Sequence, residues 1–185
     1  EGEALKNKVL TSTELLDIDH VPQTMAIIGA GVIGLELASA FETFGSKVTV
    51  IEFLKECLPT IDSDIAKRLR KTLEKRGINF NMNSGVKSIV ATEDKKQAIV
   101  TFEQKGQEKQ VIADIVLVAT GRAANIEGLG LEIAGINCVK QGIETNEHYE
   151  TNIPGVYAVG DVNGKQMLAH AASFQGTHVI NRILG

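Results

Sequence analysis

The chain has 185 residues, 43% of them hydrophobic and 23% charged, with no tryptophan and a formal net charge of -4. That length holds one good-sized core, or one domain with pieces of another, and the aliphatic, aromatic-poor composition excludes a disordered chain. A mildly acidic balance supplies no basic field, so neither nucleic acid nor an anionic membrane is expected as a partner.

Residues 1–22 are polar with short apolar patches at Val9-Leu10 and Leu15-Leu16 and end at Pro22, which reads as a connector entering a domain. Met25-Ala26-Ile27-Ile28 is a continuous apolar run stopped by Gly29, the pattern of a buried parallel strand entering a tight turn. Residues 32–44 place Ile33, Leu37, Phe41 and Phe44 at helical spacing, with Gly45 as the C-terminal stop. Residues 47–52 form a second strand. Asp62-Ser63-Asp64 then caps a helix whose apolar face is expected to be Ile65, Leu69 and Leu73, with Gly77 beyond its end and a third strand at 78–82. The basic residues of that helix, among them Lys67, Arg68 and Arg70, read as a solvated face rather than a phosphate track.

Strand, helix, strand, helix, strand in that order demands a parallel sheet covered by helices. The rhythm then changes: residues 86–91, 98–102 and 110–112 are strand-like and separated by polar turns, so an antiparallel meander is expected in place of a crossover helix. Residues 114–120 return as a buried strand. The fold class is therefore α/β, a Rossmann-like doubly wound parallel sheet with a β-meander crossover, occupying residues 23–122. Beyond Gly121 the chain becomes glycine-rich, with a strand-like run at 156–159 and an amphipathic stretch at 166–184.

Gly29-Ala30-Gly31-Val32-Ile33-Gly34 matches GxGxxG and lies between a buried strand and a helix, where a dinucleotide site needs it. Gly29 permits the turn, Gly31 lets the backbone approach a pyrophosphate, and Gly34 lets helix and strand pack closely, while the helix N-terminus attracts the anion. Glu52, at the end of the second strand, is placed to accept hydrogen bonds from the adenosine ribose; with Phe53 and Leu54 following and no Arg among them, NAD is expected over NADP. The competing readings are a ligand-free glycine turn and an ordinary strand-end glutamate. On spacing alone, Asp161 after Gly160 is equally a turn residue closing a strand.

The GAGVIGLELA segment from Gly29, the acidic strand end Val50-Ile51-Glu52-Phe53-Leu54, Ala119-Thr120-Gly121-Arg122 with Asn125, and TNIPGVYAVGD from Thr151 to Asp161 occur in this order. In this the chain resembles the pyridine nucleotide-disulfide oxidoreductases, and Gln166-Met167-Leu168-Ala169-His170 is most similar to their dihydrolipoamide dehydrogenase branch. The resemblance implies that Glu36 lies near the nicotinamide ribose, Val86 against adenine and Gly121 along the NAD cleft, with Arg122 between two cofactors. It further implies that Gly160 and Asp161 hold the ribityl chain of FAD and that Met167, Leu168, Ala169 and His170 pass beside the flavin, so that residues 123–185 are a returning segment of an FAD domain. Ala124 stands where the family usually has Pro, which puts the local turn in doubt but not the cofactor.

The resemblance covers the chain but only the middle of the family's polypeptide. The family's CxxxxC pair and its His-Glu pair are not in this sequence, so the chain alone is expected to bind NAD and catalyse nothing. Missing FAD and interface domains of the same polypeptide, and a homodimer within a 2-oxo acid dehydrogenase complex, are the implied partners. Apolar surface in the last third is expected to favour self-association. The alternatives are an NADH oxidase or glutathione-type reductase, which share the fold, and a stand-alone NAD(H)-binding module. Cys57 and Cys138 lack exchange spacing and read as packing or surface thiols; with no secretory leader or long apolar span, a cytoplasmic, reducing compartment is expected. His170 and His178 have no acidic or Cys cluster beside them, and no metal is expected.

Overall fold

The structure, a computed structural model, describes residues 2–185. Two compact units divide the chain at Gly121/Arg122. The first contains α1 (Gly2–Leu5), β1 (Val9–Leu10), α2 (Ser12–Leu15), β2 (Thr24–Ile28), α3 (Val32–Thr43), β3 (Lys47–Ile51), α4 (Ser63–Arg76), β4 (Asn79–Asn81), the meander β5 (Ser84–Ala91), β6 (Ala98–Gln104) and β7 (Gln107–Ala113), and β8 (Ile115–Val118). Its five-stranded parallel sheet has the order β1-β8-β2-β3-β4, and the meander forms a separate antiparallel sheet in the order β5-β6-β7.

The central strands are apolar on both faces because both faces are covered. Met25 and Ile27 of β2, Val48 and Val50 of β3 and Leu117 of β8 pack with Leu35, Ala38 and Phe41 of α3 and Ala66 and Leu73 of α4. The alternate residues Ala26, Ile28, Ile51 and Val116 pack with Ala98, Val100 and Phe102 of the meander. The meander thus does the covering that a crossover helix would otherwise do. Asp114 joins the layers: its carboxylate accepts from the Thr24 amide and hydroxyl, both at 2.8 Å, and from Gln97 Nε2 at 2.9 Å. Burial pushes its pKa up, but these hydrogen bonds outweigh burial and hold it below the usual aspartate range.

Three expectations change here. Within residues 1–22, Val9-Leu10 is an edge strand paired in parallel with Val116 and Leu117, and Thr11 begins α2 with a capping box to Glu14. On α3 the buried stripe is Gly34, Leu35, Ala38 and Phe41, while Phe44 is exposed, because the small residues Gly34 and Ala38 let the helix settle close to β2. On α4 the inward stripe is Ala66 and Leu73 with Arg70 between them; Ile65 and Leu69 are exposed at 57% and 39%. Arg70 turns its fork onto Glu56, with Nε–Oε1 at 2.7 Å and Nη2–Oε2 at 3.0 Å, and that pairing rotates the helix onto the neighbouring stripe. The Arg70 guanidinium holds the Glu56 carboxyl down at about 2.

The second unit holds α5 (Leu131–Ala134), the two-residue strands β9 (Cys138–Val139) and β10 (Gly142–Ile143), a 3-10 turn (Gly160–Asn163) and α6 (Ala169–Leu184). Leu131, Ile143 and Ala158 form its small core. The run at 156–159 is not a strand: Tyr157 makes one antiparallel bridge to Glu150, supported by Thr151 N donating to Val156 O and Ala158 N to Tyr149 O. Buried Gln175 and Asn163 do the rest, with Gln175 Oε1 accepting from Gly160 N at 2.8 Å and Asn163 Nδ2 at 2.9 Å. Among the described residues no helix is long and apolar enough to cross a membrane.

Candidate functional site

At the C-terminal ends of β2, β3 and β8, a cleft of about 670 Å³ is lined by Gly29, Gly31, Glu52, Phe53, Val86 and Gly121, together with Ile28, Ile51, Leu54, Pro59, Ser84, Gly85, Lys87, Ala119 and Thr120. The three motif glycines meet different surroundings. Gly29 has φ 107, and a Cβ there would collide with the Ala119 carbonyl; a Cβ on Gly34 would collide with the Gly29 carbonyl. A Cβ on Gly31 would meet nothing within 4 Å, so the chain's own packing does not require glycine at this position. It is also the N-cap of the 12-residue α3, whose first turn receives no side-chain cap. The first-turn amides and the positive end of the helix dipole therefore suit an anionic group brought close to the backbone.

Glu52, a residue only 9% exposed, completes the cleft with its carboxylate. Its Oε2 accepts from Ala30 N at 2.5 Å and its Oε1 from Leu54 N at 2.8 Å. These two amides, one from the glycine turn and one from the segment after β3, fix the carboxylate in place, and each oxygen keeps a lone pair for a hydroxyl donor. The full arrangement is an anion cradle at one end and a fixed hydrogen-bond acceptor at the other.

In the second unit, Gly160 has φ 77 and donates its amide to Gln175, while Asp161 lies exposed with Oδ2 3.8 Å from Arg122 Nη2. Leu168 is the N-cap of α6, and Leu168, Ala169 and His170 are exposed, with Met167 half-buried.

The sequence pattern of the pyridine nucleotide-disulphide oxidoreductase family matches residues 1–176. The chain belongs to that family. It is 44% identical over 179 residues to dihydrolipoyl dehydrogenase of Acholeplasma laidlawii, covering 97% of this chain and 51% of that protein. It is 38% identical over 181 residues to mitochondrial dihydrolipoyl dehydrogenase of Pisum sativum, covering 97% of this chain and 36% of that one. Among solved structures, the HOCl-induced flavoprotein disulfide reductase RclA of Escherichia coli superposes with a TM-score of 0.84 at 31% identity, covering 96% of this chain and 40% of RclA. The chain thus spans about half, or less, of the length of the proteins it matches.

Within this family member, the fold brings six of the residues singled out in the sequence to the one cleft: Gly29, Gly31, Glu52, Phe53, Val86 and Gly121. Val32, Ile33 and Gly34 form the first turn of α3 beside it. Glu36 is not among the lining residues; it is exposed on α3 and faces the groove between α3 and α4. Sequence reasoning did not find Lys87. The β5/β6 register shifts between Val86 and Ser88, and this bulge carries Lys87 to the cleft wall, with Nζ 3.2 Å from Glu103. A bulge of this kind has no signal in an alternating strand sequence.

Proposed function

We propose that this chain is the NAD-binding central portion of a dihydrolipoamide dehydrogenase, the enzyme that oxidises dihydrolipoamide to lipoamide and reduces NAD through a protein disulfide and FAD. The observation that carries the reading is the pairing of open space at Gly31 with the doubly anchored carboxylate of Glu52 in one cleft. Gly31 and the first turn of α3 would hold the pyrophosphate, Glu52 the adenosine ribose hydroxyls, and Val86 and Phe53 the adenine end. When bound, the nicotinamide accepts a hydride. The chain's own part is to bind and orient, which confines the reacting ring without any side chain taking part in the chemistry.

Residues 23–122 are assigned to NAD, and residues 123–185, with Gly160, Asp161, Arg122 and Met167 to His170, to the edge of an FAD site completed elsewhere in the parent polypeptide. The exposed apolar side chains of α6, among them Phe174 at 73% and Leu184 at 80%, suit a helix covered by further protein in that parent. The parent is assigned as a homodimer serving a 2-oxo acid dehydrogenase complex, and the chain alone as inactive.

Glu52 tests the cofactor assignment. The wild-type chain should bind NAD at least tenfold more tightly than NADP, because a fixed carboxylate repels a 2'-phosphate, and Glu52→Ala should lower NAD affinity and narrow that ratio. An unchanged ratio in parallel titrations would remove the assignment.

A further inference from the structure

We infer that Lys87 is a base-specificity residue of the cleft: its ammonium donates a hydrogen bond to a ring nitrogen of the purine at the adenosine end of a bound dinucleotide. The inference rests on the nucleotide reading above and adds a residue to it. Among the described residues that line the cleft, Glu52 and Lys87 alone are charged, so Lys87 is its single cation. The bulge puts it there. Val86 pairs with Phe102 and Ser88 with Thr101, which leaves Lys87 as the extra residue of β5. Consecutive residues of a regular strand point to opposite faces, whereas Val86 and Lys87 both line the cleft.

The surroundings of the ammonium decide what it would do. Phe53, 76% exposed, stands beside the start of β5, where a Cβ on Gly85 would lie 3.8 Å from its ring. That ring and Val86 offer a base a stacking surface and an apolar contact, which hold any base and choose among none. Choice needs a directed donor or acceptor. Ser84 at this end is buried and its Oγ donates to Met82 O at 3.2 Å, so its proton is already used. Lys87 keeps donors to spare, because an ammonium carries several and its partner among the described residues is Glu103, with Nζ–Oε2 at 3.2 Å. The two side chains of that ion pair are 58% and 51% exposed, so the pairing is weak and its flexible lysine can serve a ligand as well. Adenine presents unprotonated ring nitrogens as acceptors on both of its edges. A pyrimidine lacks the second ring and leaves the ammonium short of such an acceptor.

The test is a calorimetric titration of the 185-residue chain, and of its Lys87→Met and Glu103→Gln variants, with NAD and with nicotinamide cytosine dinucleotide, ligands that differ only in the base. The wild type should prefer NAD. Lys87→Met should weaken NAD binding by about fivefold to tenfold, the loss of one charged donor, and leave the cytosine dinucleotide within about twofold of wild type. Glu103→Gln, which releases the ammonium, should hold NAD at least as tightly as wild type. Unchanged NAD affinity in Lys87→Met, in a wild type that binds NAD, would overturn the inference and leave the cleft assignment standing. Equal losses for both dinucleotides, the sign of a general attraction to the diphosphate, would overturn it too, as would a loss in Glu103→Gln matching that in Lys87→Met, the sign that the ion pair only holds the strand. A wild type that binds neither dinucleotide would remove the nucleotide reading itself and this inference with it.

Discussion

Gly29, Gly31 and Gly34 belong to one motif, yet alanine at each should report something different. Gly34→Ala drives a methyl into the Gly29 carbonyl and should cost about 1–3 kcal/mol of stability, in the range of overpacked sites. Gly31→Ala meets open space at an ordinary φ of -76, so urea unfolding should stay within about 0.5 kcal/mol of wild type while NAD affinity falls at least tenfold. A large stability loss in Gly31→Ala would mean that this glycine serves the fold instead. The cysteines separate in the same way. Burial pushes the Cys57 thiol up to about 11, with the Glu56 carboxylate adding to it, whereas Cys138 is exposed; a thiol-labelling reagent at neutral pH should modify Cys138 and spare Cys57 in the folded chain.

The helices and strands follow the sequence where local rules decide and depart from it where pairing decides. The turn into α3 was legible because the positive φ of Gly29 and the close approach of Gly34 to the Gly29 carbonyl are local, and α4 because Asp62 caps it, accepting from Asp64 N at 3.0 Å, and Gly77 ends it at φ 112. The meander was legible as three strand-like runs between polar turns. β1 was not, since two residues become a strand only through pairing with β8, more than a hundred positions away. Residues 156–159 have strand composition but gain only one bridge. The rotation of α4 came from a charge: an arginine reads as solvated until a glutamate fourteen residues earlier is seen to hold it. That pair has a pH signature. Glu56 titrates near 2 in the fold against about 4.5 unfolded, so its contribution is present above pH 4.5 and is lost as pH falls towards 2. Between pH 5 and 2.5, wild type should lose about 1.5–3 kcal/mol more stability than Glu56→Gln in urea titrations. Parallel losses in both proteins would show that the pair does not stabilise the docked helix.

For the molecule as a whole, the parallel sheet, its meander cover and the position of the cleft were all foreseeable from the order of elements and one motif. The family itself rested on longer strings that match a known pattern across the chain. What could not be read in advance was how side chains far apart in sequence meet: Lys87 reaching the cleft through a bulge, Gln175 and Asn163 filling the interior of the second unit, and Glu36 facing the helix groove. The account's central claim is that the cleft at the end of the sheet receives NAD. Isothermal titration of the chain with NAD, NADP and FAD in parallel tests it most directly. One equivalent of NAD binding, with no detectable heat for NADP or FAD under the same conditions, is the predicted result; tight FAD binding, or no binding of any of the three, would contradict it.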